Sequence, residues 1–294
     1  MAKVSIVIVN YNGAKFQNDC LKTIHSMDYT DYQVIIVDSG STDNSIQMTI
    51  AEYPDTKVVL CNDNIGVAKG NNIGIDESIK TGSEFTLLMN NDIEADAGLL
   101  SELMRYANEN TITVPKIYYY DPHDVLWFGG GELDWAKGSA KHWGIHEKDK
   151  PEYNQRKDIT YSPTCCMLIH NEVFSRVGKF DEDLFMYYDD TDFCARVFEA
   201  KINIHYVPTA FMWHKVGSSS GGGTSKVNVY YMFRNQLYYI NKHKKKLKPG
   251  TCAYVHLRAC AKLLLSPIQE HNNKYIKDAY LDYYRGRMGR KEYT

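Results

Sequence analysis

Polar side chains that could bind a ligand follow each of the first four predicted strands. They fall at residues 9–13, 38–43, 64–72 and 90–92. Any one of these clusters could be a turn, because Asn, Asp and Gly are ordinary turn residues. The carboxyl ends of parallel strands meet at one edge of a sheet, so four such clusters together predict a ligand site at that edge.

The residue types in these clusters suit a nucleoside diphosphate. Asp38 can accept a hydrogen bond from a pyrimidine N3–H, and Tyr11 offers an aromatic face for stacking. The spacing of Gly66 and Gly70 lets the backbone approach a phosphate or sugar at a helix start, where free N–H groups favour anions. Asp92 follows two amides and is a plausible ligand for Mg²⁺ or Mn²⁺, which prefer oxygen donors.

Two further clusters lie downstream. Asp189, Asp190 and Asp192 place three carboxylates within four residues, and their mutual repulsion raises the pKa of at least one, which suits a general base. The alternative is a helix N-terminus stabilised by acidic side chains, and both can hold at once. His214 ends a predicted strand beside a Gly/Ser loop, which makes it a candidate metal ligand, although a lone His is more often packed or solvated.

The elements that must position these residues change character halfway along the chain. The first half predicts strands at 4–9, 34–37, 57–61 and 85–89, with helices near 15–26, 42–53 and 67–80. This alternation implies a parallel sheet. The second half predicts a loop lobe at 127–143, a strand at 161–169, a helix at 191–200, one or two strands at 202–213, a flexible loop at 218–223, and helices at 226–243, 252–265 and 273–284.

Composition and charge limit the classes of function that this protein can have. With 294 residues, of which 44% are hydrophobic, the chain can build one large α/β domain plus an appendage, or two small domains. The net charge of -2 gives no reason to expect nucleic acid binding. Residues 242–294 are basic, with 13 Lys and Arg against 4 Asp and Glu. This excess of positive charge predicts that the segment binds an anionic partner or surface. The alternative is that it forms a solvated helical face.

Cysteine usage and hydropathy predict a cytoplasmic protein. A peripheral position at the inner face of the plasma membrane is compatible with this prediction. Seven cysteines without a CxxC pair fit free thiols in a reducing compartment. We find neither a signal-peptide core nor an apolar run of membrane-spanning length. The apolar stripe of residues 254–265 is flanked by Lys and Arg, which predicts attachment to an anionic membrane. Alternatively, this stripe or the one at 275–284 packs on the catalytic domain or on a second copy, giving a homodimer.

The ordered set of motifs resembles family 2 glycosyltransferases with the GT-A fold, particularly the rhamnosyltransferase-like branch. The matching stretches are VSIVIVNYNG at 4–13, VIIVDSGSTDNS at 34–45, NDNIGVAKGNNIGI at 62–75, LLMNNDIE at 87–94, FGGGELDWAKG at 128–138, VGKFDEDLFMYYDDTDFCARV at 177–197, WHKVGSSS at 213–220, YYMFRNQLYYINKH at 230–243 and DYYRGRMGRK at 282–291. The match spans nearly the whole chain in the expected order.

The resemblance implies a Rossmann-like, mixed or mostly parallel sheet flanked by helices, with a C-terminal helical extension. Residues 1–243 would form the GT-A domain, with a nucleotide-sugar-binding half at 1–95 and an acceptor and catalytic half at 96–243, and residues 244–294 would form a basic amphipathic helical tail. The implied activity is inverting, metal-dependent transfer of a sugar, with rhamnose favoured, from a dTDP- or UDP-sugar to a glycan or lipid-linked acceptor in cell-surface polysaccharide or glycan synthesis.

The resemblance also assigns roles to individual residues. Asp190 would be the general base with Asp189 beside it, and Asp92 and His214 would bind Mn²⁺ or Mg²⁺. The implied donor-binding residues are Val9, Tyr11, Asp38, Asp43, Asn64, Gly66, Asn71, Asn91 and Arg234. Among them, Tyr11 and Asp38 would hold the nucleobase with support from Asp43, and the helix that carries Arg234 and Asn235 would close the donor side.

Three departures from the family pattern keep alternatives open. The family's DxD position reads Asn90-Asn91-Asp92, Asp189 stands where Glu is usual, and Thr164-Cys165-Cys166 lacks a common glycine. A UDP-hexose-using transferase of the same family and a catalytically weak nucleotide-sugar-binding protein are the alternatives. A nucleotidyltransferase fits less well, because its Gly-rich, basic phosphate loop would directly follow the first strand, where the chain has Asn10 to Gly13.

Overall fold

The computed structural model describes residues 3–216, 226–265 and 270–291. Its first half alternates strands and helices as the sequence predicts. The elements are β1 (Val4–Asn10), α1 (Gln17–Ile24), β2 (Tyr32–Asp38), α2 (Ser45–Glu52), β3 (Lys57–Leu60), α3 (Gly66–Lys80) and β4 (Phe85–Asn90). The predicted loop at 218–223 lies outside the described residues.

The second half contains shorter strands and longer helices. The elements are β5 (Ile93–Ala95), α4 (Leu99–Met104), β6 (Thr111–Tyr119), β7 (Leu126–Phe128), β8 (Gly131–Asp134), β9 (Ser139–His142), β10 (Lys157–Ile159), β11 (Cys166–His170), α5 (Asn171–Val177), α6 (Asp189–Glu199), β12 (Asn203–His214), α7 (Lys226–Lys242), α8 (Thr251–Leu265) and α9 (Glu270–Tyr284), with one-turn 3₁₀ helices at Pro151–Asn154 and Glu182–Leu184. The predicted helix and strand at 191–200 and 202–213 are close to α6 and β12.

Ten strands of the described chain form one mixed sheet. Its main path runs β10-β12-β6-β11-β4-β1-β2-β3, and β5 and β7 pair with β12 and β6 respectively. The pairs β1–β2, β1–β4, β2–β3 and β6–β12 are parallel, and the others are antiparallel. Strands β8 and β9 form a separate hairpin, within the predicted 127–143 lobe. The predicted α/β class with a mixed, mostly parallel sheet is therefore confirmed.

The centre of the sheet excludes water because β1 is mostly apolar and almost fully buried. It pairs with β2 on one edge and β4 on the other, and its burial is nearly complete. Helix α3 lies against it at close range. A Cβ at Gly74 would lie 2.1 Å from the Val7 side chain, so glycine is what allows this helix to approach the strand. This approach fixes the start of α3 beside the carboxyl end of β1.

The sequence analysis missed the segment between β4 and β7. Strand β6 contains Pro115, which weakens a strand prediction because proline cannot donate to a sheet ladder. The structure accommodates the proline through an irregularity in the pairing with β12, where the register shifts between Val207 and Phe211. The predicted strand at 161–169 is also wrong in its bounds, because the strand itself starts at Cys166.

Helices α7, α8 and α9 pack together beside the sheet. Ile276 and Ala279 of α9 and Ala259 of α8 are buried in one cluster with Tyr230 and Tyr231 of α7. Part of the predicted apolar stripe on α8 faces solvent, since Leu257 is 69% exposed. The side chains of Lys262, Leu264 and Leu265, which belong to that stripe, lie outside the described residues. In the helices that the structure describes, none is both long and apolar enough to cross a bilayer.

Candidate functional site

The four predicted loops meet at the carboxyl edge of the sheet, and Asn10 joins three of them. Its Nδ2 donates to Asp38 Oδ1 and Ser45 Oγ, each at 2.9 Å. Its Oδ1 accepts a hydrogen bond from Asn91 Nδ2 at 2.9 Å. Asn10 is fully buried, so it holds the loops after β1, β2 and β4 in one arrangement. The sequence placed Asn10 in a polar cluster but gave it no role of its own.

A cavity of about 380 Å³ opens between these loops and the start of α3. We call it the donor cleft. Six of the nine predicted donor-binding residues line it, namely Val9, Tyr11, Asn64, Gly66, Asn71 and Asn91. The Tyr11 side chain is 46% exposed, so its ring is available for stacking. Ser39 also lines the cleft and accepts a hydrogen bond from Ile65 N at 2.9 Å, a contact that the sequence analysis did not anticipate.

The other three predicted donor-binding residues are not among those that line the donor cleft. Asp38 is buried, and its carboxylate accepts bonds from Asn10 Nδ2 and from both Ser41 N and Ser41 Oγ. Asp43 ties two loops together by accepting bonds from Ala14 N and Ser45 N. Burial alone would raise the pKa of Asp43, but these bonds lower it below its ordinary value. Both carboxylates therefore shape the loops from within.

Arg234 is also buried away from solvent. Its guanidinium donates to the carbonyl oxygens of Gly289 at 2.7 Å and Asp183 at 3.3 Å. In this structure the side chain holds backbone segments together, and it is not part of the cleft lining. The sequence could not distinguish these roles, because an arginine near a phosphate site and an arginine that satisfies carbonyls look alike in a motif.

The first turn of α3 is capped by a backbone carbonyl oxygen from the second half of the chain. Val67 N and Ala68 N both point at Phe185 O, at 2.8 and 3.4 Å. Gly66 adopts a φ of +80°, and a Cβ there would lie 2.4 Å from the Phe185 ring. The spacing of Gly66 and Gly70 predicted free N–H groups at this helix start. Two of the N–H groups there, those of Val67 and Ala68, are bonded to Phe185 in this structure.

Asp92 and His214 lie side by side, as the sequence analysis predicted. Strands β5 and β12 pair in antiparallel register with Ile93 opposite His214, which brings the imidazole Nε2 to 3.1 Å from Asp92 Oδ1. Both side chains are buried, and His214 Nδ1 has no hydrogen-bond partner in the described chain. One carboxylate and one imidazole form a suitable donor pair for Mn²⁺ or Mg²⁺, with remaining positions for substrate oxygens. No larger metal-binding cluster of His, Cys, Asp or Glu occurs among the described residues.

A second cavity of about 450 Å³ contains both this pair and the acidic cluster. We call it the catalytic cavity. It is lined by Asp92, His214, Asp189 and Asp190, and on its far wall by Trp127, His142 and Tyr161. Val67, Asn90 and Met186 line this cavity and also the donor cleft, so the two spaces adjoin. The predicted base and the predicted metal ligands therefore face one space next to the cleft.

Asp190 is more fully hydrogen-bonded than its neighbour Asp189. Its Oδ2 accepts a bond from the Tyr161 hydroxyl at 2.8 Å, and its Oδ1 accepts bonds from Thr191 N and Thr191 Oγ1. Burial raises its pKa, and these hydrogen bonds oppose that rise. Asp189 Oδ2 is buried without a partner in the described chain. Burial, followed by the charge of Asp190, raises the pKa of Asp189 to about 8. Of the two carboxylates, Asp190 is therefore the one whose ionised form is better stabilised.

Asp192, the third carboxylate of the cluster, serves a different purpose. Burial would raise its pKa, but His243, Arg196 and Lys242 outweigh burial and lower it to about 2. The distances from its carboxylate are 2.8 Å to His243 Nε2 and 2.9 Å to both Arg196 Nε and Lys242 Nζ. Asp192 thus ties α6 to α7 and is a poor proton acceptor.

The loop before α6 is held in an uncommon backbone conformation. Phe185, Tyr187 and Tyr188 have φ values of +61°, +62° and +67°, a region that non-glycine residues rarely adopt. Asn235 on α7 compensates by donating from Nδ2 to the carbonyls of Leu184, Met186 and Tyr187 at 2.7–2.9 Å. Strain held by its surroundings is common where a catalytic side chain must be aimed. This arrangement directs Asp189 and Asp190 into the catalytic cavity.

The far wall was not predicted residue by residue. His142 Nδ1 donates to the Trp127 carbonyl at 3.0 Å, which leaves Nε2 without a proton. The Tyr161 hydroxyl lies 3.5 Å from Nε2 but donates its hydrogen to Asp190. Burial lowers the pKa of His142, so the ring is neutral. The Trp127 ring meets both His142 and His214 edge to face. The abundance of aromatic residues at 127–143 was the available signal, since ligand pockets are lined mainly by apolar and aromatic side chains.

Comparisons with known proteins find similar sequences among the glycosyltransferases. A family model described as glycosyl transferase family 2 matches residues 5–178. A dTDP-rhamnosyl transferase of Shigella flexneri is 26% identical over 100% of this chain and 99% of its own length. A low-salt glycan biosynthesis hexosyltransferase of Haloferax volcanii is 26% identical over 79% of this chain and 74% of its own.

The fold is also found among solved structures. GalNAc-T7, crystallised with UDP, GalNAc and Mn²⁺, superposes with a TM-score of 0.68 at 15% sequence identity. The superposition covers 97% of this chain and 56% of that longer one. At this level of identity the likeness concerns the fold.

Proposed function

Because the chain belongs to glycosyl transferase family 2, we propose that it catalyses metal-dependent transfer of a sugar, with inversion, from a nucleoside diphosphate to an acceptor hydroxyl. The predicted family resemblance is confirmed at the level of the family and of its rhamnosyltransferase-like branch. One observation supports the catalytic part above all others. The hydrogen-bonded carboxylate of Asp190 and the Asp92–His214 pair face the same cavity, which adjoins the donor cleft.

The proposed mechanism uses one base and one displacement. Asp190 accepts the proton of the acceptor hydroxyl, and the acceptor oxygen forms a bond to the anomeric carbon. The bond from that carbon to the diphosphate breaks, and its electron pair leaves with the diphosphate. A single displacement inverts the anomeric configuration. Asp92 and His214 would hold a divalent cation that, when bound, neutralises the charge of the leaving diphosphate.

Asp189 and Tyr161 prepare Asp190 for this step. Asp189 is neutral near pH 7 because its pKa is raised to about 8, so it does not compete for the proton. The Tyr161 hydroxyl donates a hydrogen bond to Asp190 Oδ2, which fixes the orientation of the carboxylate and stabilises its ionised form. The fixed backbone of the preceding loop, bound by Asn235, keeps both carboxylates in place.

We propose a pyrimidine donor, with dTDP-rhamnose ahead of UDP-hexoses. The half-exposed ring of Tyr11 at the mouth of the donor cleft supports stacking on a base. The Shigella relative matched over its full length is named a dTDP-rhamnosyl transferase, which favours rhamnose. The Haloferax relative is named a hexosyltransferase, which keeps UDP-hexoses as the second candidate.

The division of the chain and its cellular setting are further parts of the proposal. We assign donor binding mainly to residues 1–95, the base to 96–243 and an accessory role to 244–294. The exposed Leu257 and Tyr254 of α8, together with the lysines at 244–246, would contact an anionic membrane near a lipid-linked or growing glycan acceptor. Buried Ile276 and Ala279 support the view that α9 is chiefly a packing element.

A donor screen tests the proposed function. The purified protein is incubated with Mn²⁺ and dTDP-rhamnose, UDP-hexoses or a GDP-sugar, and nucleoside diphosphate release and thermal shift are measured. We expect dTDP-rhamnose to give the largest response, and NMR of the linkage formed to show an inverted anomeric centre. A response confined to GDP-sugars would contradict the pyrimidine assignment, and a retained anomeric configuration would contradict the mechanism. Binding without turnover for every donor would favour the non-catalytic alternative.

Replacing Tyr161 with Phe tests how Asp190 is tuned. The change removes the hydrogen bond to Oδ2, and a bond to a charged group contributes about 1.5–3 kcal/mol. Because that bond favours the ionised form, its loss raises the pKa of Asp190. Activity falls as the base becomes protonated, so the acidic limb of the pH–rate profile moves to higher pH and the rate on that limb drops.

Tyr118→Phe is the matched control for this experiment. The Tyr118 hydroxyl also donates to a carboxylate, Asp149 at 2.6 Å, but outside both cavities. We expect its pH–rate profile to keep the wild-type midpoint. Superimposable profiles for Tyr161→Phe and wild type would show that Asp190 is not tuned by this bond.

A further inference from the structure

Residues 286–291 follow α9 and run back across the molecule to the donor cleft. We call them the 286–291 strap. Gly289 N donates to Asp183 O at 2.8 Å, and Gly289 O accepts from Arg234 Nη1 at 2.7 Å. Lys291 N donates to the Tyr231 hydroxyl at 2.7 Å. The strap is thus fixed on both sides of residue 290 by buried groups of α7 and by the loop that leads to α6.

This anchoring holds Arg290 beside the loop that forms one wall of the donor cleft. Its Nη1 bonds to the carboxylate of Asp63 and lies 3.4 Å from Asn64 O. Asn64 lines the cleft together with Tyr11, and Arg290 is close enough to the Tyr11 hydroxyl to interact with it electrostatically. Arg290 does not itself line the cleft, but its side chain is 41% exposed and lies beside Asn64, which does.

The described walls of the donor cleft provide no cationic side chain that could act beside the proposed divalent cation. None of the described residues that line it is a Lys or an Arg. A nucleoside diphosphate brings at least two negative charges, and an arginine fork is well suited to phosphate oxygens. In the described chain Arg290 hydrogen-bonds only through Nη1, so its Nε and Nη2 donors are available to a ligand.

We propose that Arg290, presented by the 286–291 strap, binds the diphosphate of the nucleotide donor. The contact rests on the proposed function and adds a residue from the far end of the fold to a cleft otherwise built by the first strands. Asp63 holds the guanidinium in position before the donor arrives, and its side chain is 75% exposed, so the ion pair can be exchanged for phosphate at little desolvation cost.

The test measures the affinity of the full-length protein for dTDP, UDP and thymidine by calorimetry at two salt concentrations. For Arg290→Ala we expect at least tenfold weaker binding of the better nucleoside diphosphate and little change for thymidine. We also expect a smaller loss of affinity on adding salt than in wild type, because one phosphate contact has been removed. Equal affinities of Arg290→Ala and wild type for the diphosphate, or an equal loss for thymidine, would overturn the inference.

Two further variants separate a phosphate contact from a structural role. Arg287→Ala removes another arginine of the strap, one that is 66% exposed and 3.7 Å from Asp282, and should bind dTDP like wild type. Asp63→Asn breaks the ion pair but can keep the acceptor for Asn64 N. If Arg290 contacts phosphate, Asp63→Asn should keep or increase the affinity for dTDP. A loss as large as that of Arg290→Ala would mean that the ion pair acts only by holding the loop.

Failure of the proposed function gives a different pattern. A wild-type protein that binds no nucleoside diphosphate with Mn²⁺ present would refute both the proposed function and this inference. A wild-type protein that binds dTDP or UDP, with Arg290→Ala unchanged, would refute this inference alone.

Discussion

Replacing Asp190 with Asn is expected to lower turnover by about 10²- to 10⁴-fold, the usual contribution of a general base. The amide keeps the shape of the side chain and can still accept the bond from Thr191 N. It cannot take the proton from the acceptor hydroxyl. Affinity for the donor and for Mn²⁺ should stay within a few-fold of wild type, because the donor cleft and the Asp92–His214 pair are untouched.

Asp189→Asn is the matched control for this substitution. Since the pKa of Asp189 is raised to about 8, its side chain is already neutral near pH 7, and an amide mimics that state. We expect a much smaller effect on turnover at pH 7 than for Asp190→Asn. The reverse ranking, with Asp190→Asn near normal and Asp189→Asn inactive, would transfer the base to Asp189. Asp192 is not a candidate, because three cationic or hydrogen-bonding partners hold its pKa near 2.

Removal of either predicted metal ligand should have an effect of similar size. In Asp92→Ala or His214→Ala we expect Mn²⁺-dependent donor binding to weaken and transfer to fall by about 10²-fold or more, because a metal ion supplies several kcal/mol of charge stabilisation. Titration of Mn²⁺ against activity, with donor affinity measured in parallel, reports both effects. Chelation of the wild-type protein should reproduce them.

His205→Ala provides a control on the same strand. His205 Nδ1 lies 2.5 Å from Asp158 Oδ1, so it forms another His–Asp pair, between β12 and β10. This pair lies near the opposite end of β12 from His214 and outside both cavities. Its Mn²⁺ dependence should match wild type. Full activity of wild type in chelator, or an unchanged Mn²⁺ requirement in both ligand variants, would rule out the metal role. Melting temperatures of all variants distinguish loss of a ligand from loss of the fold.

The sequence predicted the parts of the site that depend on strand ends. In a parallel sheet the residue after a buried strand must lie at the carboxyl edge, so Tyr11, Asn91 and Asp92 could be placed from the pattern alone. His214 was placed beside Asp92 by the family resemblance. The structure supplies the physical cause, which is the antiparallel pairing of β5 with β12.

The sequence did not predict which polar side chains serve the ligand and which serve the loops. Asp38 and Arg234 belong to the motifs on which the resemblance rests, yet in this structure both make internal hydrogen bonds. The role of Arg290 depends on a contact 227 residues away in sequence, with Asp63. Such pairings follow from tertiary packing, and no local periodicity or turn signal encodes them.

The closure of α3 by Phe185 has a consequence for how the protein is made. Strand β4 has an unpaired edge until β11 has been synthesised, and the first turn of α3 lacks its partner until Phe185 has emerged. During translation the first ninety or so residues therefore expose a strand edge and an incomplete nucleotide site, a situation that favours chaperone binding or aggregation. Chains released early would be inactive rather than partly active. They would lack the pairing of β4 with β11 and a complete donor cleft, which makes them targets for degradation.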